Sequence, residues 1–121
     1  NLRQSDSVKF LGAVAHSKLP VIYRSSDVYV LPSFNEGMSN TVLEAMASGL
    51  PILATDTGGT NELIKGNGLI VEKGSSNSIF EALLKLKTNI SLRDNLGQKS
   101  LLNVRSMTWK STADKYISIY K

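Results

Sequence analysis

Residues 33–54 read SFNEGMSNTVLEAMASGLPILA, and the order of residue types in this stretch decides the fold. Just upstream, Val28-Tyr29-Val30-Leu31 is a branched and aromatic run suited to a strand buried on both faces. Pro32 and Ser33 end it, and Gly37 lets the chain turn without a Cβ penalty. Ser39, Asn40 and Thr41 are types that cap helix N-termini and leave unpaired backbone N–H groups, an anion-attracting arrangement. Val42, Leu43, Met46, Ala47 and Leu50 then follow helical spacing, with Gly49 placed to end the helix and Pro51 unable to continue it. Ile52-Leu53-Ala54 is the next buried strand.

Two carboxylates, Glu36 and Glu44, bracket the start of this helix. If it begins near Asn40, Glu44 lies about 6 Å along the axis, at about 1.5 Å per residue. A phosphate on the helix N–H groups gains about 0.3–2 kcal/mol from the dipole, yet carboxylates repel phosphate. Sugars resolve the conflict, because hydroxyls donate to ionised carboxylates in bonds of about 1.5–3 kcal/mol each. A diphosphate flanked by two hydroxyl-rich rings describes a sugar nucleotide. The plainer reading makes Glu36 a solvated loop acid and pairs Glu44 with a lysine on an exposed helix face. The turn, cap and flanking strands together favour the first reading.

Outward from this segment the pattern alternates. A strand is expected at 8–11, a helix at 19–26, strands at 28–31 and 52–55, a helical turn at 60–64 and a strand at 69–71. An amphipathic helix follows Ser76-Asn77 through Ile79, Ala82, Leu83 and Leu86. Two further apolar stripes run from Leu92 to Val104 and from Trp109 to Tyr120. Such alternation predicts an α/β fold, an open parallel sheet with helices on both faces, whose ligands sit at the carboxyl ends of the strands.

The 121 residues, 41% apolar, suffice for one small domain. With no cysteine, neither a disulfide framework nor a thiolate metal site is possible. His16 is the single histidine, expected to be an exposed loop residue, and Asp27 a cap or turn acid. No apolar run approaches the roughly 20 residues that span a bilayer, so a cytoplasmic setting is expected. The net charge of +4 is uneven. Residues 1–60 hold four basic and five acidic groups, whereas 61–121 hold ten and five. The lysines are scattered without interleaved aromatics, so solvated helix faces account for them and no nucleic-acid partner is indicated.

The segment resembles the E-x7-E signature of retaining glycosyltransferases of family four, in the donor-binding C-terminal half of the Rossmann-like GT-B fold. The resemblance extends to SDVYVLPS before the motif, EAMASGLPILATDTGG within and after it, and NELI and NGLIVEKG farther on. It implies that Glu36, the catalytic residue of the pair, contacts hydroxyls of the transferred sugar near the reacting carbon and orients it, and that Glu44 holds the ribose. Backbone amides at Gly37, Met38, Ser39, Asn40 and Thr41 would receive the sugar and diphosphate. The loop at Gly12 and Ala13 would touch the base, and Gly58-Gly59 would bring backbone near the donor, although a plain loop explains that pair as well.

The implied reaction moves a sugar from a UDP- or GDP-sugar to an acceptor hydroxyl with retention. No metal is indicated. The acceptor would be a glycan or glycolipid in surface polysaccharide or lipopolysaccharide synthesis, with the whole enzyme associating peripherally with the inner face of the membrane. The family's domain opens with two further strand and helix units before the position of Asn1, and an acceptor domain precedes those. Residues 1–121 are therefore expected to be a partial donor-binding domain, N-terminally truncated, that transfers no sugar alone. Two alternatives stand: a non-catalytic nucleotide-binding or scaffold module of this fold, and a sugar-nucleotide epimerase, against which the lack of histidine near the motif counts.

Overall fold

A computed structural model of the chain describes residues 8–32, 40–55 and 64–110. A 3-10 turn at His16–Lys18 leads into α1 (Leu19–Arg24), where Pro20 occupies the first turn, a position that has no helical N–H bond to lose. Then come β1 (Tyr29–Leu31), α2 (Asn40–Ala47), β2 (Ile52–Thr55), β3 (Gly68–Val71), α3 (Ser76–Thr88) and α4 (Ile90–Lys110).

The three strands form one parallel sheet in the order β1-β2-β3, with Tyr29 opposite Ile52 and Ile52 opposite Gly68. Every residue of the central strand β2 is buried. Because successive strand side chains point to opposite faces, both faces of β2 are covered. Ile52 and Ala54 join Val42, Ala45, Met46 and Leu50 in the core, so α2 lies on the face these two residues share. Helix α4 packs against α2, β2 and β3, and α3 against β3 and α4.

Helix α2 begins at Asn40, where the sequence placed it. It ends in a Schellman arrangement. Gly49 N–H donates to the Met46 carbonyl at 3.0 Å and Leu50 N–H to Ala45 at 3.1 Å, with Gly49 at φ +80°. Leu50 buries its side chain and Pro51 starts the run into β2. Helix α3 starts one residue before Asn77 because Ser75 caps it, its Oγ accepting from Ser78 N–H at 3.1 Å. Asn89 does the same for α4 through Leu92 N–H at 3.0 Å. Of the stripe expected from Trp109 to Tyr120, Trp109 falls within α4, and residues 111–121 lie outside the described residues, as does most of the expected turn at 60–64.

One element is corrected. Residues 8–11 form no strand. A strand of four residues is held by the ladder to its neighbour, and the described sheet stops at β1 with no bonds to this segment. Val8, Phe10 and Leu11 are accordingly exposed.

Candidate functional site

Helix α2 divides its residues by spacing. Val42, Leu43, Ala45 and Met46 are buried in the core, while Thr41, Glu44, Ala47 and Ser48 recur at three- and four-residue intervals along the other side. Glu44 is the member of that stripe with a charge. Its side chain is 31% exposed, about midway between core and solvent.

Helix α1 supplies the opposite wall. Leu19, Pro20 and Tyr23 from α1, with His16 before them, face Glu44, Ala47 and Ser48 across a hollow of about 250 Å³. Small-molecule pockets run from about 300 to 1,000 Å³, so the part of the site formed by the described residues is about the size of a single ring. Tyr23 Oη donates to Glu44 Oε1 at 3.1 Å. His16 Nε2 stands 3.7 Å from Glu44 Oε2, too far for a hydrogen bond. The Tyr23 hydroxyl is pushed up to about 12, first by partial burial, then by its bond to Glu44 and the charge of that carboxylate, and last by Tyr29, which becomes negative in the same high-pH range. It therefore remains a donor to the carboxylate throughout the neutral range.

Thr41, one turn before Glu44, shares a 2.6 Å hydrogen bond with Tyr29 Oη. The Tyr23 and Tyr29 rings meet edge to face, with centroids 6.1 Å apart at 63°. Two tyrosines from different elements thus hold two residues of the α2 stripe.

Of the residues singled out from sequence, the structure brings Glu44 and Thr41 onto one side of α2 and puts Asn40 at the helix start. Gly12 is exposed with φ +65°, and Ala13, at the bend that follows, lines a second hollow of about 490 Å³ with Leu11, Val14, Ala15, Lys18, Val21 and Ile22. Opposite sides of α1 thus face the two hollows. Glu36, Gly37, Met38 and Ser39 lie outside the described residues, as does Gly58-Gly59. His16 is exposed as expected, at 81%, yet it borders the Glu44 hollow. Asp27 is an exposed residue between α1 and β1. The lysine partner considered for Glu44 is replaced by Tyr23, 21 residues away, which the sequence pattern did not signal.

Among the described residues, no group of three or more His, Asp or Glu is arranged to hold a metal. None of their helices is long and apolar enough to cross a membrane.

Comparison with known proteins places these features. The sequence model described as Glycosyl transferases group 1 matches residues 1–89. The D-inositol 3-phosphate glycosyltransferase of Corynebacterium glutamicum (strain R) is 31% identical over 115 residues, covering 93% of this chain and 28% of that protein. The sucrose-phosphate synthase structure from Thermosynechococcus elongatus superposes with a TM-score of 0.86 at 26% identity, over 98% of this chain and 31% of that one. The Anabaena HepE structure in complex with UDP shares the fold, with a TM-score of 0.82 at 22% identity over 97% of this chain and 34% of that one. The chain thus spans about a third of the length of each of these three proteins.

Proposed function

The chain belongs to the glycosyl transferases group 1 family, and from that premise we propose that the intact protein transfers a sugar from a nucleoside diphosphate sugar to an acceptor hydroxyl, with Glu44 holding the donor's ribose. One observation carries the assignment. Among the described residues, the one carboxylate lining the hollow is Glu44, which projects from the first turns of α2, accepts a hydrogen bond from Tyr23 on Oε1, and has its Oε2 3.7 Å from His16 Nε2 beside a ring-sized space. A carboxylate only accepts hydrogen bonds, so it selects a ligand that donates them, as vicinal hydroxyls do.

In this reading the diphosphate lies on the N–H groups that open α2 at Asn40 and Thr41, and those dipoles stabilise the charge that develops on the leaving diphosphate. Gly37, Met38 and Ser39 extend that cradle. The base lies toward Gly12 and Ala13, and Glu36 orients the transferred sugar. The reading assigns no metal. Retention at the anomeric carbon, and an acceptor glycan or glycolipid of the cell surface, extend the resemblance of the E-x7-E segment to family four. Residues 1–121 supply donor recognition, and the acceptor is bound by other parts of the protein.

The test is transfer by the intact protein. Incubation with radiolabelled UDP- and GDP-sugars and lipid-linked or oligosaccharide acceptors should give product, and Glu36→Gln should lower turnover by orders of magnitude while leaving donor affinity nearly intact. Near-normal turnover in Glu36→Gln removes that role. Donor binding without transfer to any acceptor points instead to a non-catalytic binding module.

A further inference from the structure

The ribose assignment leaves unexplained why Glu44 is met by a tyrosine. A glutamate side chain has three rotatable bonds, and at 31% exposure, with His16 Nε2 3.7 Å from Oε2, the Glu44 carboxylate is only partly enclosed. Tyr23 Oη selects one rotamer, through the 3.1 Å bond to Oε1. The tyrosine is itself held. Its ring packs against Tyr29 edge to face, Tyr29 is anchored to Thr41 at 2.6 Å, and both rings lie against the buried core. The closed set runs α1 to α2 through Tyr23, and β1 to α2 through Tyr29, so α1 and the donor helix are locked at one spacing.

We propose that Tyr23 is a positioning residue for donor recognition: it turns the Glu44 carboxylate so that Oε2 is presented to the ribose hydroxyls, braced by Tyr29 and Thr41. The inference rests on the reading of Glu44 as the ribose acceptor. It predicts that Tyr23 sets the selectivity for a ribose ring, beyond any share it has in stability.

The experiment titrates the intact protein with UDP and GDP and takes forward the tighter of the two, together with its dideoxyribose counterpart, which lacks both ring hydroxyls. Tyr23→Phe keeps the ring and its packing on Tyr29 and removes only the hydroxyl. The expected result is about 3- to 10-fold weaker binding of the ribonucleotide, the range that one hydrogen bond contributes, with the dideoxy compound unaffected. In a Glu44→Ala background Tyr23→Phe should have no further effect. Equal weakening of both nucleotides, no weakening of either, or an additive effect in the double variant overturns the proposal. If Glu44→Ala lowers the preference for ribose and Tyr23→Phe does not, Tyr23 loses its role and the ribose reading stands. If Glu44→Ala leaves the preference unchanged, or neither nucleotide binds, both fall together.

Discussion

Replacing Asn67 by alanine should be among the most damaging substitutions in the chain. Asn67 is fully buried where β3 begins, and its side chain makes three hydrogen bonds. Nδ2 donates to Ser100 Oγ at 3.2 Å, and Oδ1 accepts from Lys65 N–H at 2.6 Å and from Asn103 Nδ2 at 3.2 Å. Ser100 Oγ donates onward to the Leu50 carbonyl at 2.6 Å, so the network ties the start of β3 and the end of α2 to α4. Among the described residues no buried side-chain nitrogen or oxygen lacks a partner. At about 0.5–1.5 kcal/mol net per bond, losing three costs about 3 kcal/mol, to which the unpaired Lys65 N–H and the void left behind add. For a chain of this size each kcal/mol moves Tm by about 4 °C, so a drop of about 12 °C is expected in thermal unfolding followed by circular dichroism. Urea unfolding should give a lower midpoint at unchanged slope. A Tm within about 3 °C of the unaltered protein would refute the network as a determinant of stability.

Two further outcomes follow from single contacts. The folded Tyr23 pKa of about 12 lies above its ordinary 10.0, so its stabilising contribution is complete below pH 10 and is lost as pH rises toward 12. Ultraviolet titration should find a tyrosine ionising later than the ordinary range, and Tyr23→Phe should abolish that late step; a curve unchanged by the substitution contradicts the Glu44 contact. Gly97 in α4 passes so close to the Gly49 carbonyl that a Cβ would overlap it. Gly97→Ala should therefore destabilise by about 1–3 kcal/mol despite alanine's better helix propensity, and a raised Tm would show that the approach is looser than described.

The parts of the fold that were legible in the sequence are those with local causes. Helix α2 stops before Gly49-Leu50-Pro51 because a left-handed glycine and a proline act within a few residues of one another. Strand β2 was legible because a strand buried on both faces reads as a continuous apolar run. Residues 8–11 were misread for the complementary reason: their pattern suits a strand, but strand formation depends on a partner that the pattern does not contain. At the site, Glu44 stood out through its place on a helix preceded by cap-type residues. Tyr23 and His16 did not, since they reach Glu44 only through the packing of α1 on α2. The Asn67 and Ser100 pair, 33 residues apart, is of the same kind. Nothing local to Asn67 signalled its burial, which only the assembled fold shows.

The ribose assignment of Glu44 is the central claim, and isothermal titration tests it most directly. Intact protein and its Glu44→Ala variant would be titrated with UDP, GDP and their sugar conjugates. The account predicts saturable binding of one nucleotide series, weakened about 10-fold or more in Glu44→Ala, as the loss of a charge-assisted hydrogen bond of about 1.5–3 kcal/mol requires. Equal affinity in the two proteins would contradict it.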